Sequence, residues 1–154
     1  MATFIFDMDG TIADLYHVEN WLPKLRAYDA TPYEDAAPMC DMDKLGGILD
    51  TLREMGHRVV VVSWLSKDST QEYNRAVRAA KRAWLKRFDF PFDEIHLVKY
   101  GTPKSKYMKP GTINIFFDDS EDVAKEVHNR PGAVRINPEK ISIVDFLECF
   151  LGDW

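Results

Sequence analysis

Cysteine is almost absent from this chain. Cys40 and Cys149 are the only two among 154 residues, and neither has a second Cys or a His at metal-binding spacing. That argues against a zinc site. Both thiols are expected to pack as small apolar side chains, Cys149 on the last helix. Long apolar runs are also missing. The N-terminus passes through Thr3-Phe4-Ile5-Phe6 straight into acidic residues, a pattern of neither a signal peptide nor a membrane span. A reducing cytoplasm is the expected compartment, with no membrane partner. Positive charge is not in excess: 20 Lys and Arg stand against 25 Asp and Glu, for a net charge of -5. Stable nucleic-acid binding through a basic field is therefore not expected, although a nucleotide monomer stays open as a ligand. Repeats, low-complexity tracts and linkers are lacking too. The length suits one domain, residues 1–154, able to bury a real core.

What is present is an alternation. Short β-branched or aromatic runs occur at residues 3–6, 58–62, 94–98, 113–117 and 133–136. Val59-Val60-Val61-Val62 is the clearest, four β-branched residues suited to a strand covered on both faces. Helical spacing of apolar residues marks 43–55, 69–88, 120–128 and 141–150. In 43–55 the face is Leu45, Ile48, Leu49, Leu52 and Met55, with Gly56 as the stop. Strands alternating with helices predict an α/β fold with parallel pairing and right-handed crossovers. Residues 12–42 break the rhythm. A strand-to-helix loop needs only a few residues, so this stretch is expected to be an insertion of one or two short helices and an irregular tail.

Two acidic clusters follow apolar runs. Asp7-Met8-Asp9-Gly10-Thr11 closes the first strand and Asp118-Asp119-Ser120 closes the fourth. Unpaired carboxylates are costly to bury, so they belong at a strand's mouth. Ligands of open parallel sheets bind at those carboxyl ends. If the two strands are neighbours, Asp7, Asp9, Asp118 and Asp119 converge, repel one another and call for a cation. Oxygen ligands alone favour magnesium over zinc. Ser120 also precedes a helix, so capping is part of that cluster's role.

Asp7-Met8-Asp9-Gly10-Thr11-Ile12 resembles the first signature of the haloacid dehalogenase-like hydrolases. Ser63, after Val59 to Val62, resembles their second. A lysine before the fourth strand would be the third, and Asp118-Asp119 resembles the fourth. The likeness runs in order from residue 3 to about residue 128. It implies a Rossmann-like three-layer sandwich with the sequence strands in spatial order 3-2-1-4-5, and a short cap insertion after the first strand. It also implies magnesium-dependent hydrolysis of a phosphomonoester through an aspartyl phosphate on Asp7. Asp9 would be the general acid and base, and its presence argues against carbon–halogen cleavage. The implied metal ligands are Asp7, the Asp9 carbonyl and Asp118, with Asp119 nearby. Phosphoryl oxygens would be held by Ser63, the lysine and the backbone of Met8, Asp9, Gly10 and Thr11.

Lys104, Lys106 and Lys109 all lie where that lysine belongs. Thr102-Pro103 suggests an N-cap and first helical turn, which favours Lys104. His17, His57, His96 and His128 show no ligand spacing and are expected at the surface or partly buried. Arg75, Arg78, Lys81, Arg82, Lys86 and Arg87 are expected to form a solvated helix face.

The insertion carries Tyr16, Trp21, Tyr28 and Tyr33. These rings suit either stacking on a base or a miniature core, and Trp21 with Leu25 favours the core. Ala13-Asp14 and the double aspartate resemble the related deoxyribonucleotidases, which implies a nucleoside monophosphate as one substrate class. Two other readings compete: a phosphoryl-accepting receiver domain, which has no use for Asp9, and a non-catalytic binding module of the same fold. A homo-oligomer is compatible with all three.

Overall fold

The computed structural model describes residues 1–152. Residues 153–154, the end of the expected domain, lie outside the described residues. In chain order, β1 (Ala2–Phe6) leads into the insertion. That segment holds β2 (Ala13–Asp14), a 3-10 turn (Leu15–His17), α1 (Trp21–Arg26), α2 (Thr31–Asp35) and β3 (Ala37–Pro38). Then come α3 (Met42–Glu54), β4 (Arg58–Trp64), α4 (Gln71–Arg87) and β5 (Glu94–Val98). A 3-10 helix (Lys104–Tyr107), β6 (Ile113–Phe117), α5 (Glu121–Val127), β7 (Ala133–Ile136) and α6 (Ile143–Gly152) complete the chain.

Five strands form one parallel sheet in the order β5-β4-β1-β6-β7. This is the 3-2-1-4-5 order of the main strands, with β1 at the centre. All five residues of β1 are buried, as expected of a strand covered on both faces. Alternate side chains go to opposite layers. Phe4, Phe6, Val59, Val61 and Phe117 pack with apolar residues of α3, α4 and α6. Ile5, Val60, Val62 and Phe116 pack with Val123 and Val127 of α5. The result is the three-layer α/β sandwich.

Local chemistry sets the helix starts. Asp41, Thr70 and Ser120 each accept the backbone N–H of the third residue of α3, α4 and α5, satisfying donors the helix leaves unpaired. The insertion is more ordered than the expected irregular tail. Its β3 pairs antiparallel with β2, and Met39 N donates to Ile12 O at 2.9 Å. Both ends of the excursion are therefore pinned together. It is also tied to α4: Trp84 Nε1 donates to Ala36 O at 2.7 Å and Tyr73 Oη to Asp29 O at 2.8 Å.

Three local expectations are corrected. Cys40, half-buried, packs against the core as expected, but Cys149 is exposed: α6 turns Ile143, Val144 and Leu147 inward, which leaves Cys149 on the outer side. His57 is buried, its Nδ1 accepting from Ala2 N at 3.0 Å. Thr102 does not cap the 3-10 helix, because its hydroxyl donates back to Lys99 O. Among the described residues no helix is long and apolar enough to cross a membrane.

Candidate active site

The sheet order places the two acidic clusters side by side. From β1 the chain moves to β4 on one flank, and it later returns to β6 on the other. The gap between β1 and β6 is thus a topological switch point, where α/β sheets bind ligands. Phe6 lies opposite Phe117, and Asp7 N donates to Phe117 O at 3.0 Å. One step further along each strand, Asp7 and Asp118 stand together at the carboxyl edge. One carboxylate oxygen each from Asp7, Asp118 and Asp119 lies within 4.8 Å of the others.

Lys104 lies beneath this group and is 2% exposed. Its Nζ donates to Asp7 Oδ1 at 3.0 Å and to Asp118 Oδ2 at 2.7 Å. Burial pulls its pKa down, but the charges of Asp7 and Asp118 outweigh that and hold it above the ordinary lysine value. The other two lysines point elsewhere. Lys109 pairs with Glu94 at 2.9 Å, and Lys106 is exposed beside the Tyr107 ring.

Asp9 faces a different cation. Lys81 Nζ donates to Asp9 Oδ2 at 2.8 Å and to Ser63 Oγ at 2.6 Å. This corrects the solvated-face expectation for Lys81, the only one of the six basic residues on that face of α4 that is buried. The sequence carried a signal for it. Lys81 falls in the apolar stripe of Val77, Ala80, Trp84 and Leu85 by helical spacing, and a lysine there must find a partner inside. Ser63 is also fully buried and is Lys81's partner.

The loop after Asp7 is tight. Gly10 N donates to Ala13 O at 2.9 Å and Thr11 N to Met8 O at 3.1 Å. Gly10 has φ +76°, and a Cβ there would lie 2.3 Å from Asp119 Oδ2 and 2.8 Å from Tyr16. Only glycine lets the loop lie this close to both. Thr11 Oγ1 donates to Asp7 Oδ2 at 3.2 Å.

Four carboxylates share this site with two ammonium groups, leaving two negative charges without a counter-charge. The acids register the strain. Asp118 and Asp119 are both pushed upward, first by burial and then by the charge of Asp7. Asp9 is raised by burial, against the pull of Lys81 and with a push from Asp7. The Asp7, Asp118 and Asp119 oxygens are hard donors of the kind a divalent cation takes, and one such ion would balance the excess. Magnesium is accordingly expected to raise the melting temperature. At roughly a hundredfold excess over Kd the gain is about 2.7 kcal/mol, or roughly 5–10 °C for a chain of this size. Differential scanning fluorimetry checks this, and Asp118→Asn should lose most of the rise.

Above the acids opens a cavity of about 750 Å³, walled by the insertion on one side and by the segments after β4 and β5 on the other. Asp7, Asp9, Asp118 and Asp119 line it together with Tyr16, Trp21, Tyr28, Tyr33, Trp64 and Tyr100. Trp21 and Leu25 also face this space. Both are half-buried, and α1 buries no residue completely. Both also pack against the main hydrophobic core, so they extend that core to the cavity wall rather than forming a miniature core of the insertion's own. Tyr16, Tyr28 and Tyr100 are about half exposed, and Trp21 meets Tyr16 edge-on at 5.0 Å.

No family model matches the chain, and no curated protein matches it. Solved structures do share its fold. A chain of the Pnkp1/Rnl/Hen1 complex superposes with a TM-score of 0.57 at 14% identity, over 88% of this chain and 45% of its own. A chain of the Pnkp1/Rnl/Hen1 RNA repair complex gives 0.57 at 13% identity, over 88% and 42%. A structural-genomics target from Vibrio cholerae aligns over 100% of both chains with a TM-score of 0.46 at 16% identity. The present chain spans less than half the length of the first two, and at these identities what it shares with those two is the α/β fold.

Proposed function

We propose that this protein is a magnesium-dependent phosphatase acting on small phosphate monoesters through an aspartyl phosphate on Asp7. One observation carries the reading. Asp7 lies at the floor of the cavity, held by Lys104 and flanked by Asp118 and Asp119, with Asp9 opening into the same space.

In the first step a carboxylate oxygen of Asp7 attacks phosphorus. The bond from phosphorus to the ester oxygen breaks, and that oxygen takes the proton of Asp9. In the second step Asp9 removes a proton from water, the water oxygen attacks phosphorus, and the bond to Asp7 breaks. Asp9's upward shift favours the protonated form that the first step requires. Lys104 offsets the negative charge gathering at phosphorus. Gly10 and Thr11 amides are engaged inside the loop, so the amides of Met8 and Asp9 are the ones left for phosphoryl oxygens. Asp7, Asp118 and Asp119 would hold the magnesium, whose charge would let a carboxylate approach a phosphate dianion.

Residues 12–42 act as the cap that selects the ester. Their aromatic rings, with Trp64 and Tyr100 opposite, favour a flat ring on the alcohol, so a nucleoside monophosphate is the leading substrate class. Phosphate release from 5′- and 3′-nucleotides, sugar phosphates, 4-nitrophenyl phosphate and end-phosphorylated RNA oligonucleotides tests this, with and without magnesium. The oligonucleotides are included because the fold is shared with a chain of an RNA repair complex. Magnesium-dependent release that ranks nucleotides first is expected. No release from any ester would refute the phosphatase, and release led by sugar phosphates would refute the role of the rings.

A further inference from the structure

The mechanism above leaves one buried charge unused. Lys81 is 0% exposed, whereas Arg75, Arg78, Arg82, Lys86 and Arg87 on the same helix all meet solvent. Burying an ammonium is expensive unless its protons are all satisfied. Here they are, each by one acceptor: Asp9 Oδ2 at 2.8 Å, Ser63 Oγ at 2.6 Å and Trp64 O at 2.8 Å. Two of the three come from the end of β4, an interior strand paired on both sides. They fix the nitrogen in space, so the third bond fixes Asp9. The Tyr33 ring closes over the ammonium at 4.9 Å. Asp9 Oδ1 makes no hydrogen bond among the described residues, and Asp9 lines the cavity.

We propose that Lys81 is a positioning residue for proton transfer: it clamps Oδ2 of Asp9 so that Oδ1 faces the ester oxygen. The inference rests on the phosphatase reading above. The proton on Asp9 Oδ1 passes to the ester oxygen as the bond between that oxygen and phosphorus breaks and the Asp7–phosphorus bond forms. Lys81 keeps all three of its protons and gains a full carboxylate as partner. A carboxyl free to rotate would lose this alignment, and misplacement of a catalytic group by an ångström is costly.

A leaving-group comparison distinguishes this role from simple scaffolding. 4-Nitrophenolate departs without a proton, whereas an alkoxide needs one. In Lys81→Met, kcat/KM for an alkyl phosphate is expected to fall roughly 30- to 300-fold, within the range of general acid catalysis. For 4-nitrophenyl phosphate it should fall less than about threefold, because kcat/KM reports the first phosphoryl transfer, in which that leaving group needs no proton from Asp9. In an Asp9→Asn background the same substitution should cost almost nothing further, as expected for two residues acting as one unit. Equal losses on both esters would make Lys81 a packing residue and overturn the proposal, as would unchanged kinetics or additive losses. Should Lys81→Met fail to fold, Lys81→Gln, one atom shorter but still bearing N–H donors, carries the same comparison. Failure of the phosphatase reading is separate: the wild-type protein would then release no phosphate from either ester.

Discussion

Asp7→Asn is expected to lower magnesium-dependent phosphate release on the order of 10⁴-fold or more while the protein stays folded. Asparagine has the same shape, but its amide is no nucleophile, and losing the attacking group alone can remove nearly all of an enzyme's chemical advantage. The fold should tolerate the change for a specific reason. Asp7 is one of three crowded acids, and its charge helps push both Asp118 and Asp119 upward. Neutralising it relieves that repulsion. The accompanying loss is one of Lys104's two ion pairs, and Asp118 at 2.7 Å remains. The two effects oppose each other, so metal-free stability should move by no more than about 1 kcal/mol. Thermal melts check the fold, and intact mass after brief mixing with substrate checks for a phosphorylated protein. A covalent phosphate on the variant, or turnover above about a hundredth of wild type, would eliminate Asp7 as nucleophile.

Much of this site could be read from the chain because it lies at strand ends. Largely apolar runs of five residues that stop abruptly at Asp7 and Asp118 mark both the strand and its mouth. The family resemblance then supplied the strand order, which composition and spacing alone leave open. Partners set by three-dimensional packing were harder to see. Lys81 stood in a run of basic residues whose charge obscured its place in the apolar stripe. Its acceptors Asp9, Ser63 and Trp64 lie 72, 18 and 17 residues away. Ser63 shows the converse. The end of β4 marks it as a site position, and its observed partner is a lysine from a helix further along the chain.

The insertion was the least legible segment, and the reason is energetic. Helices of six and five residues are too short to be stable alone, so their placement depends on what they lean on. Here that is α4, through Trp84 and Tyr73, and the two-residue pairing of β2 with β3. None of these contacts has a local sequence signature. The rings of Tyr16 and Trp21 therefore look alike as core or as cavity wall until the backbone is in place.

Lys104→Met should produce the largest stability loss of any single change at this site. Removing one partner of a buried ion pair typically costs about 3–5 kcal/mol, because the other charge stays behind without compensation. Here two carboxylates lose their bond at once, and both are buried. The loss should be greatest without metal and should shrink as magnesium is added, since the ion compensates the same oxygens. Urea denaturation across a magnesium series measures both quantities. Activity should fall by about 10²–10³ even at saturating metal, the size of effect seen when one group stabilising transition-state charge is removed. The neighbouring lysines provide the contrast. Lys109→Met breaks only a pair with Glu94 that is open to solvent on both sides, worth under about 1 kcal/mol. Lys106→Met alters an exposed side chain and should cost within about 0.5 kcal/mol. One severe variant among the three identifies the ammonium that the acids require. Three mild ones would mean that Asp7 and Asp118 are compensated by the metal alone, and Lys104 would then lose its place in the mechanism.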